Sequence, residues 1–149
     1  MQAFPFTFLQ PRHCFSVRLP RAPTLVSRQR IDRWPGIGAC ERSEFAVVPI
    51  DDGDPDLYLE LYAAIDVDAF DDDEQRRWMH ELASRVGDGP VLESSTWARG
   101  ALLVSDPEGL TLVVPVRAGV LLLNFDAVVD VDVIAAEFFG SFLVLRGQP

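Results

Sequence analysis

The sequence predicts an α+β domain, an antiparallel sheet flanked by helices in a form that dimerises. Three observations carry this. Leu57, Leu59, Leu61, Ala63 and Ile65 alternate with Tyr58, Glu60, Tyr62 and Ala64, and such period-two alternation marks a strand with one buried face. Behind an acidic start at Asp71, Trp78, Leu82 and Val86, with Met79 and Ala83, form an apolar stripe at helical spacing. Strand candidates come in runs broken by helices with no βαβ regularity, which indicates α+β architecture.

Taken in order, residues 1–23 hold Pro5, Pro11, Pro20 and Pro23, a density that disfavours both helix and ladder pairing. They read as a Pro-rich arm or, through the alternation of Phe15, Val17 and Leu19, as one edge strand. With little regular structure they are expected to be dispensable for folding, whereas a large loss of stability on their deletion would mean that Phe15, Val17 and Leu19 form a strand of the core sheet. Residues 24–149 form the single domain. Residues 24–34 predict a short helix capped by Thr24 and ended at Trp34-Pro35-Gly36, since a residue before proline avoids helical geometry. Residues 44–50 are a strand, and 51–56 (Asp-Asp-Gly-Asp-Pro-Asp) form a turn. Residues 57–65 complete a hairpin.

Asp71 and Glu74 have the spacing of a capping box for the helix over 71–86, and Gly87 and Gly89 stop it. Strands over 101–104 and 110–116 flank the turn Ser105-Asp106-Pro107-Glu108-Gly109, and 120–125 adds a third. Residues 130–145 predict a closing helix with Val131, Ile134, Ala135, Phe138, Phe142 and Leu145 on one face, widened by Val133, Phe139 and Leu143. A helix apolar through most of its circumference needs cover on two sides. The expected covers are its own sheet and a second subunit, which makes Phe138, Phe139, Phe142 and Leu145 the dimer interface.

Charge is distributed unevenly. Residues 1–43 carry seven Arg against Asp32 and Glu41, whereas 44–149 carry six Arg against 21 acidic residues, and the chain has no Lys. The formal net charge is −10. Such a chain repels nucleic acid and anionic membrane and attracts cationic partners. No apolar run approaches the ~20 residues of a membrane span. The N-terminal segment lacks the basic start of a signal peptide, so a cytoplasmic location with reduced Cys14 and Cys40 is expected.

Chemistry has little foothold. Two His and two Cys are scattered without zinc-site spacing, and Asp51, Asp52, Asp54 and Asp56 do not follow a calcium-loop pattern. Neither a metal nor a cofactor is expected. Ser94 and Ser95 beside Glu93, with His80 as a base, are the candidates for nucleophilic catalysis; His80 reads as a solvent-facing helix residue. Glu93-Ser94 is similar to the cleavage site of pyruvoyl S-adenosylmethionine decarboxylases, but the His that follows and the later catalytic Cys are missing. A binding protein is expected, not an enzyme.

The alternating strand, the acidic-capped helix, the strand-turn-strand around Asp106-Pro107-Glu108-Gly109 and the Phe-rich closing segment together resemble the class I type III secretion chaperones, the Tir-chaperone-like family. That resemblance implies an α-β-β-β-α-β-β-α order, a homodimer, and capture of an extended segment of a secreted effector. The rival reading is an immunity protein that neutralises a basic toxin. For capture of an extended segment, the residues expected to make contact are Leu57, Leu59, Leu61, Trp97, Leu112 and Val114, where strands such as 57–65 and 110–116 offer an edge and an apolar face. Asp51, Asp54 and Asp56 would steer the encounter.

Overall fold

The computed structural model describes residues 4–50, 54–87, 89–107, 109–127 and 130–145. It corrects the expected fold class. The described residues are mostly β, 45% strand against 22% helical, and do not form a helix-flanked α+β sheet. Strands β1 (Phe6–Gln10), β2 (Phe15–Leu19), β3 (Thr24–Ile31), β4 (Cys40–Val47) and β5 (Asp56–Ala64) precede helix α1 (Asp72–Val86). After it come β6 (Val91–Glu93), β7 (Leu102–Asp106), β8 (Gly109–Val116), β9 (Gly119–Asp126), helix α2 (Val131–Phe138) and β10 (Leu143–Val144). Seven strands form one antiparallel sheet in the order β3-β4-β5-β9-β8-β7-β6, and β1-β2-β10 form a small second sheet. No helix among the described residues is long and apolar enough to cross a membrane.

Both faces of the large sheet are packed. On one, Leu57, Leu59, Leu61, Leu112, Val114, Leu121, Leu123 and Phe125 meet Phe15, Val17 and Leu19 of β2 and Ile134, Ala135 and Phe138 of α2. On the other, Val104, Val113, Val120 and Leu122 meet Trp78, Met79, Leu82 and Ala83 of α1. This layering explains why β8 and β9 read as nearly continuous apolar runs: a strand buried on both sides has no polar face to alternate with.

Two sequence expectations fail for identifiable reasons. Residues 24–31 form β3, not a helix. Ser27, Gln29 and Ile31 on one side and Arg28 and Arg30 on the other pair in register with Glu44, Arg42, Cys40, Ser43 and Glu41 of β4. Ladder pairing with a neighbouring strand overrides a weak local helix preference. The closing helix stops at Phe138 and gives way to a 3-10 turn over Phe139–Ser141, where Ser141 Oγ donates to the Phe138 carbonyl at 2.7 Å. Leu143 and Val144 then pair with Ser16 and Phe15 of β2.

The N-terminal segment is likewise structural. The β1–β2 hairpin turns through Pro11–His13 and a left-handed Cys14. Phe15, Val17 and Leu19 are fully buried. His13 Nδ1 bonds to the Arg117 carbonyl at 2.7 Å, while Arg117 N–H donates to the His13 carbonyl at 3.1 Å, tying the hairpin to the β8–β9 turn. The cover expected from a second subunit is therefore supplied by the chain's own first strands.

Candidate functional site

The expected contact residues lie inside the molecule. Leu57, Leu59, Leu61, Leu112 and Val114 are each at most 5% exposed. Their strands, β5 and β8, are internal, flanked by β4 and β9 and by β9 and β7, so neither offers an edge. Trp97 is half-buried against Phe139, at 6.4 Å between ring centroids. Asp54 is half-buried and pairs with Arg21 at 3.6 Å while accepting the Ile50 N–H. Asp56 is exposed at the start of β5, and Asp51 lies outside the described residues. Phe138, Phe139 and Phe142 are buried within the chain, and half-buried Leu145 donates its N–H to the Cys14 carbonyl.

The free edges of the large sheet are β3 and β6. Helix α1 packs on β7, β8 and β9, leaving a cleft of about 550 Å³ beside it over β3, β4 and β5. Its walls include Gln29 and Ile31 of β3, Arg42 of β4, Tyr58, Glu60 and Tyr62 of β5, and Leu82, Arg85 and Val86 of α1. At its floor Asn124 is buried, accepting the Thr111 hydroxyl at 2.7 Å.

A charged network stiffens this wall. Arg42 Nε donates to the Tyr62 hydroxyl at 3.1 Å, which itself donates to Glu60 at 2.5 Å. The Arg42 guanidinium also lies 3.3 Å from Glu60 and 3.4 Å from Glu44. Burial, and then the charge of Glu60, push the Tyr62 phenol above its ordinary range. Burial works against the charged form of Arg42, but Tyr62, Glu60 and Glu44 outweigh it and raise its pKa. Both shifts favour the protonated forms, the neutral Tyr62 phenol that donates to Glu60 and the Arg42 cation.

The loop between β3 and β4 closes one end. Trp34 stacks on Tyr62 at 5.5 Å, and the Arg85 guanidinium sits 4.7 Å from the Trp34 ring centroid. Arg77 and Arg85 donate to the Gly36 and Pro35 carbonyls. Arg77, Glu81 and Arg85 recur every fourth residue and so line one helix face. A Cβ on Gly36 would fall 2.6 Å from the Glu81 carboxyl carbon, and Gly36 has φ +83°. Only glycine meets both conditions without strain.

A second cavity, about 540 Å³, lies along α1 and brings together His80, Glu93, Ser95, Arg76 and Arg99. No hydrogen bond among the described residues joins His80 to Glu93 or Ser95. Among the described residues no cluster of His, Cys, Asp and Glu could hold a metal ion.

Sequence reasoning missed the cleft. Its signal was the other face of β5, where Tyr58, Glu60 and Tyr62 are more polar than a second core face would be. The Leu face drew attention because it is apolar, and it is apolar because it is core. Trp34, read as a helix terminator, gave no sign that it would stack on Tyr62. Comparison of the chain with family models, with curated proteins and with solved structures finds no match.

Proposed function

We propose that this chain is a binding protein that captures an extended polypeptide segment along β3 and the cleft beside it. The observation that carries the reading is a free eight-residue sheet edge bordering a cleft with preset aromatic and polar walls. An added strand would satisfy its main chain on β3, with alternate side chains beside Gln29 and Ile31 at the cleft. The segment of a secreted effector implied by the resemblance to secretion chaperones suits this mode, although the opening helix of that family is here the strand β3. Cys14 and Cys40 are free thiols, which suits a reducing compartment such as the cytoplasm.

The test is titration with a neutral peptide of alternating Thr and Val, read by fluorescence anisotropy and by hydrogen exchange. Saturable binding with slowed exchange in residues 24–31 is expected. Val26 has no partner in the β3–β4 register. Val26→Pro should therefore keep the fold, because proline is tolerated at bulges of edge strands, and weaken the peptide. Binding that leaves residues 24–31 unprotected would refute capture at this edge.

A further inference from the structure

Resting on that reading of the edge, we propose that β3 selects a partner strand bearing carboxylates at alternate positions. Three features of the edge lead there. Leu25 and Val26 are 44% and 58% exposed on the free strand, so apolar contact surface stands uncovered. Arg28 and Arg30 share one face of β3, as shown by their pairing with Ser43 and Glu41, and Gln29 and Ile31 occupy the cleft face. Arg33 follows two residues beyond the strand, with no ion pair among the described residues. The edge is thus a basic stripe on a chain whose net charge is −10.

The ion pairs these Arg make at home are weak competitors. Arg28 lies 3.9 Å from Glu41 and Arg30 3.1 Å from Asp32, with both guanidinium-bearing side chains more than half exposed. Exposed pairs of this kind contribute little and exchange readily. Charges and a bulge on an edge strand also guard it against indiscriminate pairing, and the register shift between Leu25 and Ser27 is such a bulge. A guard of a single sign, however, excludes basic strands and leaves the edge open to acidic ones. Opposite charges directly across a strand pair stabilise it and like charges destabilise it. The overall negative field acts at longer range, so a fitting partner carries its carboxylates on the captured strand and its positive charge elsewhere.

The experiment uses the full chain and three peptides: alternating Glu and Val, alternating Lys and Val, and alternating Thr and Val. At about 0.15 M salt the Debye length is roughly 8 Å, which mutes long-range repulsion without abolishing contact pairs. The Glu peptide should bind about 10-fold more tightly than the Lys peptide and slow exchange in residues 24–31. The double variant Arg28→Glu/Arg30→Glu, altered only at exposed positions, should invert that order. Equal or tighter binding of the Lys or Thr peptide with the same protection would overturn the charge selection while leaving edge capture intact. If no peptide protects β3, both readings fall. A dimeric mass by light scattering, with β3 already protected in the absence of peptide, would assign the edge to a second copy and overturn the proposal.

Discussion

Gly36 and His13 show how single residues hold distant parts of this chain together. Gly36 lets the β3–β4 loop lie against Glu81 with a left-handed backbone. Gly36→Ala adds backbone strain and a clash that a flexible Glu side chain can partly relieve. It should cost on the order of 1–2 kcal/mol in urea denaturation and loosen the Trp34–Tyr62 stack, read as a change in tryptophan emission. His13 is buried and bonded to the Arg117 carbonyl; burial lowers its pKa from 6.5, partly offset by that bond. The folded state therefore disfavours its protonation. Its stabilising effect is full above about pH 6.5 and is lost as pH falls through the lower folded value. His13→Gln should flatten the stability profile below that pH, measured by denaturation across a pH series.

At the scale of elements, the N-terminal hairpin and the closing segment form one half of a core. Truncation of residues 1–23 should yield unfolded or insoluble protein, because it would strip Phe15, Val17 and Leu19 from the Phe138–Phe142 cluster. Leu19→Ala, a milder probe, should cost about 2–5 kcal/mol in the same denaturation assay. Phe139→Glu should fail to fold, since it buries an unpaired charge. Leu143→Glu, at a 60% exposed position, should leave the melting temperature nearly unchanged. A soluble, folded Phe139→Glu protein would instead mean that this segment faces a partner.

For the whole molecule, the charge imbalance of the sequence is partly cancelled on folding. Basic N-terminal residues meet acidic ones later in the chain, as in Arg21 with Asp54 and Arg42 with Glu60. Pairing leaves the formal net charge at −10, which creates a negative field. Association with a cationic polypeptide should therefore slow several-fold between about 0.01 and about 0.15 M salt, as the Debye length shrinks from roughly 30 to roughly 8 Å. Dissociation should change less. Stopped-flow mixing with an oligo-arginine peptide at the two salt concentrations measures both rates, and a salt-independent association rate would remove the steering role.

Much of the local structure was legible in the residues themselves. Asp71 caps α1 by accepting the Glu74 N–H at 2.8 Å, because capping is settled within one turn. The β5 alternation and the β7–β8 hairpin also follow from short-range pattern and turn chemistry. The sequence by itself thus determined the central helix, the inner strands and the overall acidity. Only the tertiary structure decided that residues 24–31 are an edge strand and that residues 15–19 are core. It also decided that Leu57, Leu59 and Leu61 face inward to stay, while Tyr58, Glu60 and Tyr62 line the cleft. An apolar face is written identically whether it meets its own chain or a partner, and the difference lies in contacts between residues as far apart as Phe15 and Phe142. Those pairings come from the packing of layers, which no local window of sequence encodes.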